Sequence, residues 1–176
     1  MSASRKKAVV RKLSRDWVAG YVSAEEFCRD GAVELLDLSG KVVQVPTTEI
    51  KWLCFVRDFN SGEMNNPERL LRKSFAGRPR IEGVFLRLRL VDGEQVEGVA
   101  ANDRSLIAGE GVFLLPPDTR SNTQRLWIPT AVIQELEAVA VISSTARRKE
   151  PSAARRPAAA PGTESPAVSE QPKLFS

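Results

Sequence analysis

The side chains that most often do chemistry are scarce in this sequence. Histidine is absent, and the two cysteines, Cys28 and Cys54, lie far apart in apolar or mixed segments. Without histidine, no serine or cysteine can be paired with the commonest general base, and two cysteines alone cannot complete a zinc site. The glycine-rich motifs that bind nucleotide phosphates and the G-x-S-x-G motif of hydrolases do not occur. We therefore expect a non-enzymatic protein with no catalytic residues, no metal and no cofactor.

Basic residues are concentrated in the middle of the chain, where they could contact the phosphates of RNA, DNA or another polyanion. Alternatively they form a solvated surface balanced by Glu68, Glu82 and Glu94, as modest charge runs usually do. No aromatic residues interleave the run in the manner of an RNP motif, which favours the solvated surface. The candidate nucleic-acid or anion patch consists of Arg69, Arg72, Lys73, Arg78, Arg80, Arg87 and Arg89.

A long polar loop, PPDTRSNTQR at residues 116–125, is a second candidate for recognition. The amide of Asn122 could read a hydrogen-bonding group of a partner, or it could simply hold the loop in place. Trp17, Trp52 and Trp127 are expected mostly in the core, although a partly exposed tryptophan beside this loop would suit an interface. The candidate recognition loop consists of Asp118, Arg120, Ser121, Asn122, Arg125 and Trp127.

Part of the chain resembles the cyclic di-GMP signature of PilZ domains, which is R-x-x-x-R followed by D-x-S-x-x-G. Arg11 and Arg15 satisfy the first part, but after Asp37 and Ser39 the glycine, Gly40, comes two positions early. The alternative is a hairpin turn that needs Gly40 at positive φ. We favour the turn, because the changed spacing breaks the geometry of a nucleotide pocket.

The last six residues, QPKLFS, resemble the short motif with which bacterial proteins dock into the sliding clamp. Gln171, Leu174 and Phe175 would then be the contact residues. The match is short, and the alternative is an ordinary disordered terminus.

One pattern, [VI]-P-T-x-x-I-x-x-L, occurs at residues 45–53 and again at residues 128–136. Extending the alignment places WVAGYV opposite QVEGVA and GAVELL opposite GVFLLP. Repetition on this scale is typical of a duplicated structural unit. We expect the two copies to superpose with Gly20 on Gly98 and Pro46 on Pro129.

Apolar residues in each copy favour a period of two, which predicts about five short strands per unit in meander order. In the shared motif the proline ends a strand and makes a corner, after which Ile50 or Ile133 re-enters the sheet as a buried residue. The segment after Pro129 could also be a helix by its spacing. The β-branched and aromatic residues of its twin favour strands in both copies.

A short helix is predicted between the copies, at about residues 67–75. Asn66 can cap it, Pro67 suits its first position, and Gly77 ends it. Each copy is near the size at which a lone core is marginal, so we expect the helix and a strand face to be shared by the two units.

The predicted fold is therefore mainly β, with two tandem SH3-like or Sm-like small barrels joined by the short helix. The first barrel spans residues 6–58, the linker residues 59–80 and the second barrel residues 81–142. Residues 143–176 are rich in alanine, proline, serine and charge and are predicted to form a disordered tail. No signal peptide or long apolar run is present, so we expect a cytoplasmic protein with reduced, buried thiols.

Three phrases, DGEQVEG, PPDTRSNTQRLWIP and EIKWLCFVRDF, together resemble an uncharacterised family of bacterial tandem small β-barrel domains, often found beside PilZ and response-regulator modules. The likeness covers about residues 6–142 and implies a bacterial, cytosolic setting but no assigned chemistry. More loosely, FLRLRLVDGEQVEGVAAND resembles the first half of an Sm-like motif, and VPTTEI resembles the corner before the last strand of an SH3-like barrel. The chain lacks the paired aromatics with which SH3 domains hold proline-rich peptides.

Together these features predict a bacterial interaction or regulatory module with a protein partner and no membrane contact. The alternative is a nucleic-acid-associated protein, acting through the basic run or through docking of the tail to the clamp. Binding of cyclic di-GMP is a less favoured third alternative. The sequence specifies neither the partner nor the oligomeric state.

Overall fold

The computed structural model describes residues 4–118 and 120–143 of the chain. Within this part the chain is mainly β, and three single 3-10 turns lie at Thr47–Glu49, Arg104–Leu106 and Thr130–Val132. No helix of the described residues is long and apolar enough to cross a membrane. The strands are β1 (Arg5–Lys12), β2 (Trp17–Ser23), β3 (Cys28–Arg29), β4 (Ala32–Asp37), β5 (Val42–Pro46), β6 (Ile50–Val56), β7 (Gly83–Leu90), β8 (Gln95–Ala100), β9 (Gly111–Leu114), β10 (Thr123–Pro129) and β11 (Ile133–Ile142).

The two halves of the chain pair their strands in the same order. In the first half the order is β5-β4-β2-β1-β6, with the short β3 also paired to β4. In the second half it is β10-β9-β8-β7-β11, where a single bridge between Val99 and Leu115 links β8 to the end of β9. The repeat found in the sequence is therefore also a repeat of strand order.

The corner of the shared motif has the same geometry in both halves. Pro46 has φ −58° and ψ 136°, Pro129 has φ −59° and ψ 137°, and each is followed by a 3-10 turn. Both segments after the turn are strands, so the prediction of strands rather than a helix is confirmed. Ile50 is buried as predicted, whereas Ile133 is half-buried.

Backbone hydrogen bonds correct the sequence alignment by one residue in the middle of the unit. The amide of Thr47 donates to the carbonyl of Gly31 at 2.8 Å, and the amide of Thr130 donates to the carbonyl of Glu110 at 2.8 Å. Glu110, and not the glycine that follows it, is thus the counterpart of Gly31. Period-two apolar patterns do not resolve such a slip when both registers place apolar residues in the strand.

Among the strands of the described residues, one pairing joins the halves. β6 of the first half pairs with β10 of the second, with Leu53 opposite Trp127. One hydrophobic cluster lies on each side of the central strands: Trp52 belongs to the cluster of the second half, and Trp127 belongs to the cluster of the first. The expectation that the units share a strand face is therefore met. Burial on both faces explains why β6 reads as a nearly continuous apolar run.

The predicted helix at residues 67–75 is wrong, because this part of the linker forms turns and extended backbone. Arg69 has a φ of 47°, in the left-handed region, which interrupts any right-handed helix at that point. The side chains of Glu68 and Leu70 are buried against the sheets, and the carbonyl of Lys73 accepts a hydrogen bond from the amide of Glu97 at 2.7 Å. These long-range contacts outweigh the local helical signals. The predicted tail, residues 143–176, lies outside the described residues except for Ser143.

Candidate binding surface

The basic residues of the candidate anion patch mostly have partners. Arg87 forms ion pairs with Glu97 and Glu137 at 2.9 Å each, and Arg89 pairs with Glu135 at 2.8 Å. Lys73 pairs with Glu94, and Arg69 contacts Glu63 and the carbonyl of Ser61. Arg78 contacts the carbonyl of Val141. The exposed Arg72 and Arg80 have no partner among the described residues. This arrangement favours a solvated, ion-paired surface over a stripe of phosphate-binding groups.

Asn122, in the candidate recognition loop, holds the linker. Its side-chain amide donates to the carbonyls of Asp58 at 2.7 Å and Pro67 at 2.8 Å, and its carbonyl oxygen accepts from the amide of Asp58 at 3.0 Å. The hydroxyl of Thr123 donates to the carbonyl of Glu68 at 2.6 Å. Of the two interpretations of Asn122, the geometry favours the scaffold.

The other loop residues are also engaged within the protein. The carboxylate of Asp118 accepts from the amide of Arg120 at 3.0 Å, and the hydroxyl of Ser121 donates to the carbonyl of Asp118 at 2.9 Å. The guanidinium of Arg125 lies 4.0 Å from the centre of the Phe113 ring, and burial lowers the pKa of Arg125. Trp127 is buried.

The two parts of the PilZ-like pattern have separate structural roles. Arg11 makes two hydrogen bonds to the carboxylate of Glu68, at 2.8 Å and 2.6 Å. The carboxylate of Asp37 accepts from the amides of Lys41 at 2.8 Å and Ser39 at 2.9 Å, and such bonds lower the pKa of Asp37. Gly40 has a φ of 83°, as the hairpin interpretation predicts. The clamp-like residues Gln171, Leu174 and Phe175 lie outside the described residues.

A cleft of about 690 Å³ lies between the β1–β2 turn and the linker. Its lining includes Lys51, Trp52, Lys73 and Glu94, together with Arg15 and Trp17 at the start of β2. Sequence reasoning did not assign a function to this cleft.

Lysines in the cleft lie over the ring of Trp52. The ammonium of Lys51 lies 4.9 Å from the ring centre and that of Lys73 lies 5.6 Å from it, and both form ion pairs with Glu94. Burial opposes the charge on Glu94, but the hydrogen bonds from the two lysines outweigh it and hold the pKa of Glu94 below its usual value. Trp52 itself is only 4% exposed, so its ring is covered and not free to receive a ligand.

The turn between β1 and β2 carries an unusual backbone conformation. Arg15 has a φ of 76°, a left-handed value that residues other than glycine seldom adopt. Its counterpart in the second half is Gly93, with a φ of 83°. The two turns have equivalent hydrogen bonds. The amide of Arg15 donates to the carbonyl of Lys12 at 3.0 Å, and the amide of Gly93 donates to the carbonyl of Leu90 at 2.9 Å.

Trp17 separates this cleft from an apolar groove of about 290 Å³. Phe59, Met64 and Pro67 line the groove. Trp17 is 41% exposed and Met64 is 89% exposed. The ring of Tyr21 packs edge-on against Phe59, at 5.3 Å between ring centres. We call the cleft and the groove together the Trp17 surface.

Comparison with known proteins identifies the family of the chain. It belongs to the family of unknown function DUF6982, whose pattern matches residues 4–140. The predicted membership of an uncharacterised family is confirmed at this level. No curated protein and no solved structure matches the chain.

In this DUF6982 chain the described residues contain no group of three or more acidic or cysteine side chains that could hold a metal ion. Cys28 donates to the carboxylate of Glu110 at 2.5 Å, and burial together with this acid raises the pKa of Cys28 to about 12. The thiol of Cys54 is fully buried, which raises its pKa well above the ordinary value. Neither cysteine is placed as a nucleophile, because the thiolate is the reactive form.

The partial exposure of Trp17 differs from the prediction of a core residue, whereas Trp52 and Trp127 are in the core as predicted. A comparison of the two repeats in the sequence could have identified this surface. At the positions where the second half has Gly93 and Gln95, the first half has Arg15 and Trp17. Two large side chains thus stand in the first half where the matching turn of the second half has a glycine and a glutamine.

Proposed function

We propose that this protein is a non-enzymatic interaction module of the bacterial cytosol and that a protein partner binds it at the Trp17 surface. The observation that carries the proposal is the exposure of Trp17 and Met64 at one groove, 41% and 89% respectively. Tryptophan, tyrosine and methionine are enriched where proteins bind one another, because tryptophan and tyrosine offer large, rigid apolar areas and methionine adapts its shape to a partner.

The size and lining of the groove indicate what part of a partner it takes. A space of about 290 Å³ suits one or two apolar side chains and is too small for a second folded domain. Phe59 and Pro67 give it firm walls, since Phe59 packs against the core and Pro67 is buried. Met64 can adjust to the shape of the ligand, because its side chain is unbranched and exposed. The expected partner is therefore an extended protein segment with an apolar anchor residue.

The cleft beside Trp17 supports binding more than catalysis. Arg11, Lys12, Lys51 and Lys73 are each held in an ion pair with an acid of the same chain. Two of these pairs, Arg11 with Glu68 and Lys73 with Glu94, hold the linker against the sheets. Cations held in this way are engaged in structural ion pairs, which favours a binding surface over a proton-transfer site.

The finer architecture belongs to the same proposal: each half is an SH3-like small barrel. Its support is the repeated strand order, with the last strand of each unit paired to its first and a 3-10 turn directly before that last strand. SH3 domains bind extended peptide segments in aromatic-lined grooves.

A nucleic-acid-associated role is the second candidate. Arg72 and Arg80 are exposed and unpaired among the described residues and would be its contact residues. Binding of single-stranded RNA should then weaken steeply with salt, and replacing both arginines by glutamine should reduce the slope. A gel shift at two salt concentrations measures this, and no shift at low salt counts against the role.

The interaction proposal is tested by selecting random linear peptides displayed on phage against the full chain. Enriched peptides should share an apolar residue and should bind about tenfold more weakly to a Trp17→Gln, Met64→Gln double variant. Trp17→Gln is a conservative choice, because Gln95 occupies the same position in the second half. Val141→Gln, on the exposed part of β11, is the matched control and should not change binding.

Two results would contradict the proposal. One is the absence of any enriched peptide on the wild-type chain. The other is equal binding of the enriched peptides to the wild type and to the double variant, which would place the binding surface elsewhere.

A further inference from the structure

The cleft of the Trp17 surface holds one arginine, Arg15, whose side chain has no partner in the part of the chain that the structure describes. Each of the other basic residues that line the cleft has an acidic partner, namely Arg11 with Glu68, Lys12 with Glu49, Lys51 with Asp92 and Glu94, and Lys73 with Glu94. The guanidinium of Arg15 is exposed and has no hydrogen bond or ion pair within residues 4–118 and 120–143. Among the described residues, Arg15 is thus the cation of the cleft that remains available to a ligand, beside the carboxylate of Asp16, which accepts from the hydroxyl of Ser14 at 2.9 Å.

The backbone of Arg15 gives an independent reason to regard its side chain as functional. The turn requires a left-handed residue, and the second half meets this requirement with Gly93. An arginine at φ 76° costs stability that glycine would not. Residues held in such conformations are often found where the side chain serves binding. No contact of the guanidinium with another described residue offsets the cost.

We propose that Arg15 binds a carboxylate of the partner segment whose apolar anchor occupies the groove on the other side of Trp17. This inference rests on the proposed function, and it names the chemistry of the partner: an acidic residue next to an apolar one. The planar guanidinium can bind a carboxylate through two parallel hydrogen bonds. Asn65 and Asn66 also line the cleft and supply amide donors for the same ligand.

A single carboxylate fits the cleft better than a polyanion does. Binding a chain of phosphates draws on several available cations, since affinity grows with each phosphate neutralised. Here the neighbouring cations are neutralised by Glu49, Glu68, Asp92 and Glu94. A nucleic acid would have to compete with these carboxylates, whereas one acidic side chain needs only Arg15.

The experiment uses two fluorescein-labelled peptides with the sequences GEELFEEGSK and GQQLFQQGSK, measured by fluorescence anisotropy on the full chain. The glutamate peptide should bind about tenfold more tightly than the glutamine peptide, the usual difference that one charge-assisted pair makes. Arg15→Gly should reduce the affinity for the glutamate peptide to that for the glutamine peptide, and it should leave the melting temperature of the protein unchanged or raise it. Arg15→Lys should retain part of the preference, because it keeps the charge but not the paired donors.

A second readout locates the peptide. Trp52 and Trp127 are 4% and 3% exposed, so acrylamide should quench mainly the 41% exposed Trp17. The glutamate peptide should protect the fluorescence from quenching, and an unlabelled single-stranded oligonucleotide should not displace it.

The outcomes separate this inference from the proposed function. Equal affinity for both peptides, lost in Trp17→Gln, would overturn carboxylate recognition and leave the interaction module standing. An unchanged preference for glutamate in Arg15→Gly would also overturn it. Absence of binding by either peptide would overturn both proposals, and displacement by the oligonucleotide would favour the nucleic-acid role instead.

Discussion

The last strands of the two halves, β6 and β11, follow the same corner but have very different surroundings. β6 lies between β1 and β10, and its Leu53 is fully buried. β11 pairs only with β7 within the described residues, and Leu136, at the position of Leu53, is 47% exposed. The motif therefore determines the path of the chain, whereas the burial of its residues depends on whether another strand covers them.

Charges on β11 show how the sequence is adapted to this open edge. Where β6 has the buried Trp52 and Cys54, β11 has Glu135 and Glu137, which pair with Arg89 and Arg87. Charged side chains on an edge strand discourage further strand pairing.

The largest contrast should appear when the matched leucines are truncated. Leu53→Ala should lower the free energy of unfolding by about 3 kcal/mol, because it leaves a cavity in a packed core. Leu136→Ala should lower it by less than about 0.5 kcal/mol, since water already reaches the side chain. Urea denaturation of the two variants measures both values. Similar losses would show that β11 is covered in solution and that the comparison of the two strands fails.

Matched ion pairs offer the next contrast. Arg11 and Arg89 occupy equivalent positions, but the side chains of Arg11 and Glu68 are 12% and 3% exposed, whereas those of Arg89 and Glu135 are 46% and 61% exposed. Glu68→Ala leaves a nearly buried arginine without its partner and should cost about 3 kcal/mol. Glu135→Ala should cost less than about 0.5 kcal/mol. Equal effects in denaturation experiments would contradict the structural distinction between the pairs.

Local signals explain what the sequence could predict of this fold. The corners at Pro46 and Pro129 and the strands around them follow from proline geometry and period-two patterns within a few residues. The prediction of a helix in the linker was wrong because Glu68 and Leu70 contact residues distant in sequence, which no local pattern records. The role of Asn122 depended on the position of the linker in the same way.

The candidate site was less predictable than the fold. Its charge is available only because the other cations of the cleft are paired, and those pairs join distant segments such as Lys51 and Asp92. The basic residues that the sequence grouped together, including Arg87 and Arg89, turned out to be paired with acids on neighbouring strands. A residue's type indicates what it can bind, but its neighbours decide whether it is free to do so.

A pH-dependent contact connects the halves through Cys28 and Glu110. Burial and this acid raise the pKa of Cys28 from 9.0 to about 12, so the folded state favours the protonated thiol. The resulting stabilisation is complete below pH 9 and should be lost as the pH rises from 9 towards 12. Wild-type stability should therefore fall more over this range than that of Cys28→Ser, whose hydroxyl does not ionise. Parallel pH profiles in thermal melts would show that the thiol does not titrate in the folded protein.

The smallest expected effect distinguishes the two turns, and it bears most directly on the candidate site. Gly93→Arg should lower the free energy of unfolding by about 1 kcal/mol, because arginine is strained in the left-handed region. A Cβ atom at Gly93 would meet no atom within 4 Å, so the cost at the backbone is conformational and not steric. Arg15→Gly should shift stability by a similar amount in the opposite direction, and the double exchange should be close to wild type, as expected for independent sites. Denaturation curves of the three variants measure this cycle. A loss of several kcal/mol in Arg15→Gly would mean that Arg15 supports the fold, whereas equal or greater stability together with weaker peptide binding would mean that the first half retains a strained arginine for its ligand.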